Sequence, residues 1–150
     1  MASPTNPDTS QLRCWAEIDL SKLRHNADFL RKEAGDRCGI MAIVKADAYG
    51  HGLEHVVSCL MGHVDWFGVA NYQEAKRALK AAGNQSPSIL VLSPPTPAEI
   101  DPIVESELSA SVSSIEEVTA FGETAARLGT RARLHAVADT GMGRMGSLPD

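Results

Sequence analysis

The spacing of apolar and polar residues changes period several times along the chain. At 14–19, CWAEID alternates apolar with polar, which predicts a short strand with one buried face. Leu20, Leu23, Ala27, Leu30 and Ala34 then recur at helical spacing, and Gly35 supplies a stop. Residues 39–44, GIMAIV, are apolar without alternation, the pattern of a parallel strand covered on both faces. The same phrase of helix and buried strand then recurs. GLEHVVSCLMG reads as a helix and WFGVA as a strand. NYQEAKRALKAAG reads as a helix with Asn71 as N-cap, Glu74 three residues later and Gly83 beyond its end, and SILVLS as the next buried strand. PAEIDPIVES is a weaker helix, with Pro102 expected in its first turn, and LSASVSS is a short strand of small residues. SIEEVTAFGETAARLG carries Ser114 and Glu117 as a capping box and Gly129 as its stop, and RARLHAVAD closes the series as a strand. Trp15 and Trp66 are expected to pack in the sheet.

From Ile40 onward this makes five strands with four helices between them. Strict alternation with mostly apolar strands predicts an α/β fold around a parallel sheet. The pattern alone does not separate an open doubly wound sheet from a (β/α)8 barrel. A complete barrel takes roughly 250 residues, so a barrel here would be an incomplete one of about five strands. There is no low-complexity tract, internal linker or repeated sequence.

Composition narrows the function classes. With 150 residues, 43% of them hydrophobic, the chain can bury an ordinary core. Its net charge of −5 and lack of a basic stripe argue against nucleic acid as a partner. No apolar run approaches the roughly 18 residues that cross a bilayer. The opening MASPTNPDTSQ is polar, holds two prolines and lacks an apolar core, so 1–12 reads as a flexible lead-in, not a secretory signal. Cys14, Cys38 and Cys59 are odd in number and widely spaced, which fits free thiols in a reducing cytoplasm. His51 and His55 lie four apart but have no third ligand nearby in the sequence, and no metal site is expected.

The chemistry concentrates at two places. Lys45 follows Val44 at the C-terminal end of the first parallel strand, the end of an α/β sheet where ligands bind. Partial desolvation there favours a neutral, nucleophilic amine able to form a Schiff base with an aldehyde. The plainer reading is a lysine reaching from a strand end to water. In ADAYGHG, Gly50 and Gly52 permit tight backbone near a ligand and Tyr49 offers a hydroxyl to a phosphate or carboxylate, while His51 reads as structural. The second place is DTGMGRMG. Gly141, Gly143 and Gly146 spell G-x-G-x-x-G, but SLPD follows where a dinucleotide site needs a helix, and Asp139 precedes the glycines instead of following them. Arg144, on the same rim as Lys45, has the donor fork to hold a carboxylate; alternatively it pairs with Asp139 and braces the loop.

AIVKADAYGHG resembles the lysine motif of the alanine racemases, enzymes dependent on pyridoxal phosphate. WAEIDLSKLRHN resembles that family's opening segment, FGVANYQEAKRAL its second strand and helix, and LHAVADTGMGRMG a later motif, all in the family's order and covering the chain beyond its first dozen residues. The resemblance implies a barrel over 13–150. It implies that Lys45 carries the cofactor as a Schiff base and moves the substrate proton, that Tyr49 touches the cofactor phosphate, and that Arg144 supports the substrate carboxylate and the cofactor's phenolic oxygen. One position departs: seven residues before this arginine many members have a lysine, often carbamylated, and this chain has Val137. The family's second acid/base, a tyrosine from the C-terminal domain of the partner subunit, has no match here, nor has an arginine facing the pyridine nitrogen. The expectation is the N-terminal part of a homodimeric, cytoplasmic alanine racemase that interconverts L- and D-alanine for peptidoglycan and is at most weakly active alone. Alternatives are a barrel protein that binds pyridoxal phosphate without catalysis, a racemase for serine, lysine or several amino acids, and a structural α/β domain without cofactor.

Overall fold

The structure, a computed structural model, describes residues 12–148. The lead-in predicted over 1–12 therefore lies, except for Leu12, outside the described residues. Strands β1 (Met41–Ile43), β2 (Trp66–Val69), β3 (Ser88–Val91), β4 (Ser109–Val112) and β5 (Arg133–Ala136) form one sheet in the order β1-β2-β3-β4-β5, and every pair is parallel. Each strand sits beside its successor without the reversal that marks a doubly wound sheet. The sheet is thus an arc of a barrel, with β1 and β5 as its edges among the described residues. Helices α1 (Leu20–Ala34), α3 (Leu53–Leu60), α4 (Tyr72–Ala82), α5 (Pro97–Glu105) and α6 (Ile115–Leu128) cover its outer face, and α2 (Lys45–Tyr49) is a short turn after β1.

The core lies between sheet and helices. Phe67, Val69, Ile89, Val91, Ala110 and Val112 alternate along β2 to β4 and are all buried, meeting Leu53, Val57, Ala75, Ala78, Ile103 and Phe121 from the helices. The intervening positions face the concave side. Ile43, Gly68, Leu90, Ser109 and Arg133 form one row across it by strand register. A side chain at Gly68 would place its Cβ 2.7 Å from Ile43 Cδ1 and 3.1 Å from Leu92 Cδ1, so glycine lets the row close up. The Trp66 and His135 rings meet edge to face with centroids 5.6 Å apart. Three strand spacings, about 14 Å in a flat sheet, separate β2 from β5. The contact therefore requires the sheet to curl inward.

Capping follows the sequence at Asn71 and Ser114, whose side chains accept from the N–H groups of Glu74 and Glu117. Three expectations are corrected. Residues 14–19 form no strand: a strand needs a ladder partner, none lies beside this segment among the described residues, and Trp15 is 59% exposed instead of packed in the sheet. Asp19 instead caps α1, accepting from Ser21 N–H at 2.9 Å and Lys22 N–H at 3.2 Å. Pro102 lies in the second turn of α5, because Pro97 takes the first helical position. The helix tolerates the lost N–H bond while the Glu99 carboxylate closes its start on Thr96 N–H at 2.9 Å. No helix is long and apolar enough to cross a membrane, among the described residues. Cys14, Cys38 and Cys59 are free, and the buried Cys59 thiol donates to Leu20 O at 3.1 Å, joining α3 to α1.

Candidate active site

The β1 ladder ends where Val44 N–H donates to Gly68 O at 2.8 Å. Val44 is 1% exposed, packed toward the helices, and Lys45 emerges next at the C-terminal rim of the sheet. Of the five lysines, Lys22, Lys32, Lys76 and Lys80 are exposed and Lys45 alone is half-buried. The four residues after it, Ala46, Asp47, Ala48 and Tyr49, all adopt positive φ, between 52° and 56°. This is one turn of left-handed helix built without glycine, a conformation that costs roughly 1–2 kcal/mol per residue.

Specific bonds hold that turn. Ala48 N–H donates to Val44 O at 2.9 Å, Gly50 and Gly52 return their N–H groups to Asp47 O, and the His51 ring nitrogen Nδ1 lies 2.8 Å from Ala48 O. His51 thus ties the turn together, in keeping with the structural reading of its sequence context. The Asp47 carboxylate accepts from Leu53 N–H at 3.1 Å and from Arg77 at 2.5 Å. Arg77 also reaches the Glu54 carboxylate with two nitrogens, at 2.6 and 2.7 Å. On the inner side, the Glu74 carboxylate accepts from Ala46 N–H at 2.7 Å and from Ala70 N–H at 2.8 Å. The carboxylates nearest Lys45 in sequence therefore face amides and Arg77, leaving its amine without an ion pair among the described residues.

Acid should loosen this turn before it unfolds the core. The paired Arg77 guanidinium brings the Glu54 carboxyl down to about 2, and the Leu53 N–H, then Arg77, lowers that of Asp47. A carboxyl depressed on folding contributes stability that is complete above its ordinary value and is lost as pH falls through the folded one. For Glu54 the window runs from 4.5 down to about 2. These side chains are close to half exposed, so the effect on global stability is small. Expected on titration is a falling protection against amide exchange, measured relative to the free-peptide rate at each pH, at Leu53 and Gly52 below pH 4, while Phe67 and Val91 stay protected; uniform behaviour of all four would contradict this.

The glycine-bearing loop after β5 lies on the same rim, at the other edge of the sheet. Asp139, buried, accepts from the N–H groups of Gly141 at 2.9 Å and Gly143 at 3.1 Å, and these amides, Gly141 first, hold its carboxyl below the usual range. The loop closes where Asp139 N–H donates to Ser147 O at 2.8 Å and the Ser147 hydroxyl donates to Ser113 O. Asp139 thus braces the loop through backbone amides, with no ion pair to Arg144 among the described residues. Among the described residues no helix opens within the glycines, where a dinucleotide site places one. Val137 shares a small apolar pocket with Leu92, Pro94 and Met145. Arg144 and Tyr49 are both exposed, Tyr49 to 62%. Lys45 and Tyr49 share one turn, and Arg144 joins them only at the level of the rim.

The set fits pyridoxal phosphate by its chemistry. It offers one shielded primary amine for an aldehyde, a phenol in the same turn for a phosphate, and acidic neighbours already occupied by other donors. No three His, Cys, Asp or Glu side chains converge as metal ligands among the described residues. Sequence reasoning singled out Lys45, Tyr49 and Arg144 as candidates but did not point to Asp47, Arg77 or the second partner of Glu74. Glu74 stood out as a capping residue; nothing local signalled its bond to Ala46.

The chain is 39% identical over 137 residues to the alanine racemase of Methanococcus maripaludis, covering 91% of this chain and 36% of that one. It is 42% identical over 133 residues to the alanine racemase of Geobacter sulfurreducens, covering 87% and 34%. Among solved structures, the alanine racemase from Streptomyces coelicolor superposes with a TM-score of 0.80 at 37% identity, covering 89% of this chain and 35% of that one. The chain thus spans about a third of the length of these relatives. Residues 18–150 match the family described as alanine racemase, N-terminal domain, and the chain belongs to that family.

Proposed function

We propose that the chain carries the cofactor lysine of a pyridoxal-phosphate-dependent alanine racemase, which interconverts L- and D-alanine in the cytoplasm and supplies D-alanine for peptidoglycan. The observation that carries this reading is Lys45, the one shielded lysine, at the C-terminal end of β1 and entering a left-handed turn. Lys45 would hold the cofactor through its amine, and the Tyr49 hydroxyl would donate to the phosphate. When bound, pyridoxal phosphate withdraws the electron pair left on the α-carbon as the proton departs. Arg144 holds the substrate carboxylate with its two-pronged guanidinium and so sets the α-carbon in place. The Lys45 amine would accept the α-proton on one face and return it. Isomerisation needs an acid on the other face, a role we assign to a partner subunit in a homodimer.

A half-reaction tests this, since proton exchange requires a base on one face only. The chain is given pyridoxal phosphate and L-alanine in deuterium oxide. Deuterium should enter the α-position, and Lys45→Ala should fall to the rate of free cofactor. A folded, cofactor-bearing chain that exchanges no faster than Lys45→Ala would overturn the proposal.

A further inference from the structure

A glutamate at the third position of a helix ordinarily reaches back to the N–H of its own N-cap. Glu74 in α4 does not. One carboxylate oxygen accepts from Ala70 N–H at 2.8 Å, the residue before the Asn71 cap, and the other accepts from Ala46 N–H at 2.7 Å, across in the neighbouring loop. Ladder geometry explains the need. β1 and β2 pair in parallel, and Val44 N–H makes the last bond, to Gly68 O. If β1 continued, the next inward donor, Ala46 N–H, would bond to Ala70 O. Ala46 instead turns to φ 52° and leaves the ladder, and Ala70 O receives Ser93 N–H from the β3 side at 3.2 Å. An N–H that leaves the ladder is taken up either by water or by another acceptor, and here the acceptor belongs to the protein. The Glu74 carboxylate provides it where the strand becomes the left-handed turn, at the residue that follows Lys45.

We propose that Glu74 is a positioning residue for Lys45: by joining Ala46 N–H to Ala70 N–H it fixes the break in β1 and thereby the direction in which the lysine leaves the sheet. The Asp47–Arg77 pair steadies the far side of the same turn, while Glu74 holds its first residue. The role rests on Lys45 being the cofactor lysine, and the test separates the two claims.

Three readouts are taken on the full chain and on Glu74→Gln and Glu74→Ala: amide exchange at Ala46, pyridoxal phosphate trapped on Lys45 by reduction, and the circular dichroism the trapped cofactor acquires. Glutamine keeps one acceptor oxygen and alanine keeps none. Ala46 exchange should quicken, and trapping should weaken, by about tenfold or more in Glu74→Ala, the scale of one lost charge-assisted hydrogen bond. Glu74→Gln should fall between Glu74→Ala and the parent chain. Cofactor bound to Glu74→Ala should also lose most of its induced dichroism, a sign of orientation that a role in folding alone would not change. If the parent chain traps no cofactor on Lys45, the cofactor reading fails and this role with it, whatever Ala46 shows. If the parent traps cofactor and both variants match it in amount and dichroism, Glu74 is a helix cap only. Should Glu74→Ala fail to fold, Glu74→Gln decides between the same outcomes.

Discussion

Replacing Lys45 by alanine is expected to abolish covalent capture of pyridoxal phosphate and leave the fold in place. The other four lysines are exposed on helices, where water solvates the ammonium and no neighbouring group orients an aldehyde. Lys45 is half-buried at the rim, with Tyr49 four residues on in the same turn. Its side chain joins neither the buried cluster nor an ion pair among the described residues, so removing it should change stability by less than about 1 kcal/mol. The measurement pairs a cofactor absorbance titration with thermal unfolding. The expected result is loss of more than nine-tenths of the bound cofactor absorbance with a melting midpoint near that of the parent. Retained absorbance in Lys45→Ala would contradict the assignment. A collapsed melting midpoint would mean that Lys45 has a structural role instead.

Replacing Gly146 by alanine should open the loop that carries Arg144. Gly146 sits at φ +127°, and an added Cβ would lie 2.8 Å from Asp139 N, 3.0 Å from Ala138 C and 3.1 Å from Val137 O. All three are backbone atoms, so no rotamer change relieves the clash. A strained non-glycine φ alone costs about 1–3 kcal/mol. The loop can escape only by giving up the Asp139–Ser147 and Ser147–Val137 bonds that close it. Because it follows β5 at the edge of the sheet, β1 to β4 should survive. Amide exchange should accelerate at Gly141 and Gly143, whose N–H groups the Asp139 carboxylate holds, and stay slow in β2 and β3. If both loop amides keep their protection, the loop is not organised around Asp139 as described.

Much of this architecture could be read from particular residues. GIMAIV, WFGVA and SILVLS are apolar without alternation because helices cover one face of each strand while the other lines the concave side, where Leu90 is buried and Ile43 is 39% exposed. Asn71 and Ser114 marked their helices because capping is a local hydrogen-bond choice. The choice between barrel and doubly wound sheet was legible only through the resemblance, since strand order depends on long-range pairing that periodicity does not encode. CWAEID was misread for the same reason: alternation shows that a segment could be a strand, not that a neighbour exists to pair with it. In the site, Lys45 and Tyr49 were legible because both lie in one short stretch. The left-handed turn between them was not. Ala46, Asp47, Ala48 and Tyr49 carry no glycine to signal positive φ, and what holds them is Glu74 and Arg77, nearly thirty residues away. Arg144 could be placed on the right rim, but its loop is braced by Asp139 through amides, a choice between backbone and side-chain partners that the spacing left open.

On the proposed function, one amine, Lys45 Nζ, receives the cofactor aldehyde. Borohydride reduction of the chain with stoichiometric pyridoxal phosphate, followed by peptide mass mapping, tests it most directly. A single stable pyridoxyl adduct is expected, on the peptide containing Lys45. Adducts spread over Lys22, Lys32, Lys76 and Lys80, with Lys45 no more modified than they are, would contradict it.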